Sequence, residues 1–565
     1  MFLPSRRALF ASVSAAVAAP WLDAAAADAP SGCDLLIRNG KIVDGTGNPW
    51  FQGDVAIAGQ RIAAVGRALN IPAKRTIDAT GLAVAPGFID IHSHSDMLLL
   101  EDGRAEGKIR QGVTLEVFGE GQSAGPAKGK MPPTRFGDLK RKFEWTTLGG
   151  YFDALDKSGI SLNAASYVGI DNVWRSVMGS SFERPTAAHF QEMQALVDEA
   201  MRDGAFGLSS MLAMPPGSLT TTDDIIKLCE PIKKYGGLFS THNRNEGLGV
   251  FDAIKEAIAV GERAGVAVDV IHLKIADQKL WGKMPEVVGL IEAARRRGVN
   301  VQANVYPYTR GNNNLASIVP PWAHEGGRAK MLGRLKDPAE RTHMKKDITQ
   351  GIDGWYNHYT AVGGDWSRML VSGRGTYEGL TMDRVIAVRT KGKEPKPDSL
   401  DVLFDVLLEH EGSVPCVYAH HEEKDMNLAL VQRWCSIGSD GSAYSTEGPL
   451  RRGNPHPRNF GTFPRVLGVY ARERKLLTLE DAVRKMTSLN AAKLGLTDRG
   501  ILKPGAYADV TLFDPTTVTD RATYDKPFAY NVGIEWVIVN GTPVLEPGGK
   551  HTGAKPGRAL RRGKA

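Results

Sequence analysis

Three features of this 565-residue sequence predict an α/β fold, a (β/α)8 TIM-like barrel with a small β-sandwich domain formed by both chain ends. Apolar strand-like runs alternate with helical patterns along the middle of the chain, each helix ending near a glycine, which is the grammar of repeated βα units. Short strand-turn-strand segments at the two ends share one composition, so they belong together. Histidines and carboxylates gather at the ends of the central strands, where a parallel barrel presents its functional face.

The elements follow in order. Residues 1–27 read as an export signal: "SRRALF" precedes the small and apolar "ASVSAAVAAPWL", and "DAAAADA" offers cleavage sites. Arg6 and Arg7, followed by Leu9 and Phe10, resemble the twin-arginine signal of the route that exports folded proteins. A periplasmic or secreted protein is therefore expected, with no membrane span, because no later run approaches about 18 apolar residues. Residues 34–85 ("DLLIRNGKIVDG", "DVAIAGQRIAAVG", "RTIDATGLAVAPG") pair in expectation with 498–548 ("YADVTLFD", "GIEWVIVNGTPV") as the composite β domain.

Residues 86–497 form the expected barrel. Its strands are read in "GFIDIH", "TLEVFGE", "LNAASYVG", "GLSS", "GLFSTH", "AVDVIHLK", "VNVQANVYPY", "VPCVYAH" and "WCSIGSD". A stretch around 310–413, rich in Trp, Gly and charge, is too long for a plain loop and is expected to be an insertion covering the barrel mouth.

The net charge of +7 concentrates at the C-terminus, where residues 549–565 hold Lys550, Lys555, Arg558, Arg561, Arg562 and Lys564. That tail is expected to be solvated and partly disordered, and the remaining body is near neutral. No basic face interleaved with aromatics is found, which argues against a nucleic-acid partner. Cys33, Cys229, Cys416 and Cys435 show no C-x-x-C spacing and are too few for a disulfide framework, so they are expected as thiols.

The chemistry begins at "GFIDIHSHSD". On a strand, His92 and His94 face one way while Ile91, Ser93 and Ser95 face the other. A single His-x-His is a weak signal. Later strand ends add Glu120, His242, His272 and Asp440. Four histidines and two carboxylates converging at the barrel mouth make a nitrogen and oxygen site suited to Zn²⁺, with room for one or two ions. Lys274, two residues beyond His272, is placed to hold a substrate carboxylate, with an acid such as Glu246 as the alternative partner; Arg244, two beyond His242, admits the same role. "AHHEE" adds His420 and His421 at the end of a seventh strand, beside a helix start at Glu422 and Glu423.

At these residues the sequence resembles the amidohydrolase superfamily, and within it the D-aminoacylase or N-acyl-D-amino-acid deacylase family. The resemblance runs through "APGFIDIHSHSD", "QGVT", "THNRNEG", "HLK", "VYPYT", "GSDG", "HPRNFGTFPRVLG" and "KMTSLNAAKLGL". It implies a zinc-dependent barrel that hydrolyses the amide of a small-molecule N-acylated amino acid. On matching positions it implies metal binding by His92, His94, His242, His272 and Asp440, with Asp440 as general acid and base, and substrate contacts from Lys274 and Tyr306. An amide nitrogen leaves poorly unless protonated, so one carboxylate would serve twice.

Three positions depart from the family pattern. Gly121 stands where the family has a metal-binding cysteine, Met214 replaces a tyrosine of the strand-four motif, and Asn312 replaces a serine after "YPYT". Glu120 is expected to take over the missing anionic role, because neutral imidazoles alone leave two dications unscreened. A cyclic amide or a dipeptide is the alternative substrate. A non-enzymatic scaffold is disfavoured, since every histidine and the aspartate are retained.

Overall fold

The computed structural model describes residues 32–137 and 142–563; the expected export signal lies outside the described residues. The barrel strands are β1 (Phe88–Asp90), β2 (Val113–Phe118), β3 (Asn163–Ser166, resuming at Val168–Gly169), β4 (Gly207–Met211), β5 (Leu238–His242), β6 (Ala267–Val270), β7 (Val301–Val305) and β8 (Cys435–Ile437). Neighbours in this order pair in parallel, in two sheets that meet at Tyr167 in β3. The ring closes where Ser93 bridges Gly441 in parallel and the Asp440 N–H donates to the His92 carbonyl at 2.8 Å. Gly87 lets β1 enter close to β2, since a Cβ there would lie 2.2 Å from the Thr114 hydroxyl.

The inside of the ring is filled, not hollow. Ile89, Ile91, Leu115, Val117, Ala165 and Tyr167 form one core with Ala491 and Leu494, and Leu560 packs against it. A larger core lies between the outer strand faces and the helices, including Phe88, Leu208, Phe239, Val268 and Ile437. Strands from both chain ends share a nine-stranded sheet, in which Ala83–Pro86 pairs antiparallel with Val510–Phe513. It encloses a separate core of Leu35, Ile37, Val55, Ile57, Val510 and Ile538.

Between β7 and β8 the chain builds a layer with its own core of Leu315, Ile318, Met344, Met369, Leu403 and Phe404. Here the structure corrects the strand reading. "VPCVYAH" supplies Pro415–Tyr418, which pairs antiparallel with Gly311–Asn314 and Met369–Val371 of this layer and is not a barrel strand. A short apolar run fits either place, and only its non-local partners decide.

The basic tail is also corrected. Lys550–His551 pairs with Thr542–Glu546, the Leu560 N–H donates to the Ala164 carbonyl at 2.7 Å, and Arg562 bonds the carbonyls of Tyr235, Gly236 and Leu494. Arg562 serves backbone carbonyls, Arg558 and Arg561 bond the side chains of Gln60 and Asp153, and the tail's one leucine joins the barrel's inner core, which charge counting could not reveal. No helix among the described residues is long and apolar enough to cross a membrane.

Candidate metal centre and active-site cavity

Regular pairing of β1 ends at Asp90, whose side chain turns to Lys108 (2.7 Å). Strict alternation therefore stops before the histidines: Ile91 stays in the inner core, while Ser93 hydrogen-bonds the Gly441 carbonyl. His92 and His94 nonetheless converge, because both rings meet the carboxylate of Glu120, which stands two residues past the end of β2. Glu120 Oε2 lies 2.7 Å from His92 Nε2 and 3.1 Å from His94 Nε2. Its other oxygen, Oε1, lies 2.7 Å from His242 Nδ1 and 3.5 Å from His272 Nε2. Asp440 Oδ1 completes the first group at 3.0 Å from His94 Nε2.

Two groups thus share one carboxylate: His92, His94, Glu120 and Asp440, and Glu120, His242 and His272, with the donor atoms of each within 4.8 Å of one another. The geometry fits cation ligation better than a hydrogen-bond network. His242 Nδ1 and His272 Nε2 stand 3.1 Å apart while both face Glu120 Oε1. Two ring nitrogens and an oxygen in one corner cannot all be satisfied by exchanging single protons, whereas three lone pairs converging on an ion can.

Backbone conformation sharpens the corner. His272 and Asp440 take left-handed φ values of 39° and 51°, costly for residues with a Cβ and typical of functional sites. Asn304 Oδ1 accepts the His272 N–H at 3.0 Å and its Nδ2 donates to Asp269, so the turn is held from inside the barrel. Gly121 has φ 57°, and a Cβ there would fall 2.5 Å from that of Met211. There is no room for a cysteine after Glu120.

Charge follows the same pattern. Burial opposes ionisation of Glu120, but the surrounding histidines outweigh it and hold its carboxyl well below the ordinary range. Burial likewise opposes ionisation of Asp440, and Arg458, with His92 and His94, holds it far below its usual value. The Arg458 guanidinium donates to Asp440 Oδ2 at 2.7 Å and stacks over the Tyr306 ring at 5.0 Å. Arg458 was not singled out from sequence; it sits on the helix Arg458–Arg465, and no strand-end spacing points to it.

Of the expected substrate contacts, Arg244 is turned away and Lys274 takes its alternative partner, Glu246. Arg244 donates to both oxygens of Glu256 and to the carbonyls of Ser218 and Thr220, away from the cluster. β5 ends at His242, so the two-residue period no longer applies. Lys274 Nζ is engaged by Glu246 Oε1 at 2.5 Å and lies 2.6 Å from His272 Nδ1. Glu246 Oε1 also stands 3.1 Å from His272 Nδ1, where it can fix the ring's tautomer and orientation. Lys274 lies with Tyr306 and His421 around a small separate cavity. His420 and His421 are buried at the seam with the inserted layer, and His421 Nδ1 lies 3.4 Å from the Tyr308 carbonyl. Glu116 is engaged by Ser95 and Lys108 on the other face of β2 from Leu115 and Val117, outside the cavity lining.

A cavity of about 900 Å³ opens over the cluster. His94, Glu120, His242, His272 and Asp440 line its floor, and Asn312, Val371, Arg374, Tyr377 and Pro415 of the inserted layer line its walls. The arrangement can hold one or two divalent ions, place a carboxylate beside them, and admit a small molecule above them.

Comparison with known proteins agrees with this geometry. A model of the amidohydrolase family matches residues 75–280 and 443–545. The chain is 35% identical over 532 residues to a D-aminoacylase of Alcaligenes xylosoxydans xylosoxydans, covering 94% of this chain and 98% of the relative. It is 34% identical over 533 residues to an N-acyl-D-glutamate deacylase of the same organism, covering 94% and 96%. The crystal structure of N-acyl-D-glutamate deacylase from Bordetella bronchiseptica, complexed with zinc and a phosphonate inhibitor that mimics the tetrahedral intermediate, matches with TM-score 0.76 and 31% identity, covering 94% of this chain and all of the other.

Proposed function

Because this chain belongs to the amidohydrolase family, we propose that it deacylates N-acyl-D-amino acids, with zinc held by His92, His94, Glu120, His242, His272 and Asp440. The observation that carries this reading is the sharing of Glu120: one carboxylate oxygen serves each pair of histidines beneath a cavity wide enough for the substrate. Zinc held by these residues would supply the Lewis acidity that polarises a scissile carbonyl and lowers the pKa of a water.

The chain's own residues supply the proton path and the orientation. Asp440 accepts the proton of the attacking water at Oδ1 and returns it to the leaving nitrogen. Arg458 pins Oδ2 and keeps the carboxylate ionised. The same anchoring makes Asp440 a weak base, a deficit that bound zinc would offset by acidifying the water. With Tyr306 behind it, Arg458 also offers the cation toward which a substrate carboxylate would turn. Glu246 and Lys274 act on His272 from behind, fixing its ring.

The test is hydrolysis of matched N-acetyl-D- and N-acetyl-L-amino acids by the zinc-loaded protein, followed by release of the free amino acid. Turnover of the D series in preference to the L series is expected. Hydrolysis of the L series alone, or of neither, would overturn the proposal. The twin arginine, Arg6 and Arg7, supports the further reading that the enzyme is exported already folded.

A further inference from the structure

One buried carboxyl of the cavity has no part in the mechanism above. Asp171 lies in the first turn of the helix Ile170–Met178, which follows β3 directly. It is 4% exposed and lines the same cavity as Glu120 and Asp440. Its Oδ1 is buried with no hydrogen-bond partner, and Arg175, one turn on, acts on it only from a distance. An acid in a helix's first turn is favoured by the helix dipole. That explains its tolerance there but not the empty oxygen, since a buried acceptor left unpaired is costly. Burial pushes the carboxyl up to about 7; Arg175 opposes the rise and Glu120 reinforces it.

Oδ1 itself is sealed from the cavity, so a ligand there meets the carboxyl's other oxygen, and position suggests which ligand. β3 and β7 stand across the ring from one another, and Tyr306 follows β7 with Arg458 stacked on it. A substrate laid across the metal centre with its carboxylate toward Arg458 directs its acyl group toward Asp171. We propose that Asp171 determines acyl-group specificity, favouring acyl groups that carry a hydrogen-bond donor, an amine or a hydroxyl, next to the scissile carbonyl. The proposal rests on the deacylase reading and refines it.

The experiment compares kcat/KM of the zinc-loaded wild type, Asp171→Asn and Asp171→Ala on N-acetyl-, N-glycolyl- and N-glycyl-D-leucine. These acyl groups differ only in carrying no donor, a hydroxyl or an ammonium. The wild type is expected to prefer a donor-bearing acyl group over acetyl by about tenfold, the scale of a hydrogen bond to a charged group. Asp171→Ala should reduce that preference to within about twofold. The isosteric Asp171→Asn should retain preference for glycolyl and lose any for glycyl, which separates hydroxyacyl from aminoacyl recognition. Equal ratios in wild type and both variants, or a wild type that prefers acetyl, would overturn the assignment while leaving deacylation intact. A wild type inert to all three would overturn both.

Discussion

Asp440 carries the chemistry only if its two oxygens keep separate partners, His94 on one side and Arg458 on the other. Asparagine preserves the shape but cannot take a proton. Asp440→Asn should therefore lower kcat by about 10² or more, within the range that general acid-base catalysis supplies. Zinc content measured alongside separates loss of the base from loss of a ligand, and full activity at full zinc content would contradict the role. At this scale the sequence was legible where a residue's type constrained it: histidines at strand ends reach the mouth however the chain turns. It was not legible where a strand's period was carried past the strand's end. Arg244 follows from a two-residue rule that β5 drops after His242, whereas Lys274 stays beside His272 and meets Glu246, the alternative partner the sequence offers. Arg458 had no periodic signal at all.

Elements were readable when local pattern and tertiary partner agreed. β5 and β6 turn Phe239, Val268 and Val270 outward and Ser240, His242 and Asp269 inward, and they pair with their neighbours along the chain. "VPCVYAH" failed because its partners, Gly311–Asn314 and Met369–Val371, lie far off in sequence. The tail failed because burial of Leu560 and capping of carbonyls by Arg562 are invisible to composition. The structure makes the tail a structural element. Removing residues 555–565 breaks the Leu560 bond to Ala164 and the three Arg562 bonds to carbonyls. With net contributions of about 1 kcal/mol per hydrogen bond, the melting temperature should fall by at least about 3 °C. Calorimetry checks this, and an unchanged transition would return the tail to the status of a solvated end.

The whole molecule reads as a chemical centre carried on a closed parallel ring, roofed by an inserted layer and tied to a sheet made from both chain ends. Its placement in the cell is a prediction at this scale: replacing Arg6 and Arg7 by lysine should leave the full-length precursor in the cytoplasm, as fractionation would detect. Unchanged export would mean a signal of the ordinary secretory kind. The central claim, however, is that Glu120 joins two histidine pairs into one metal centre. Metal analysis of purified wild type beside Glu120→Ala, after dialysis against a defined zinc concentration, tests it most directly. The wild type should retain up to two zinc ions per chain, and the variant should lose at least one along with its activity. Equal zinc stoichiometry and affinity in the two proteins would contradict the claim and leave the site to the histidines and Asp440 alone.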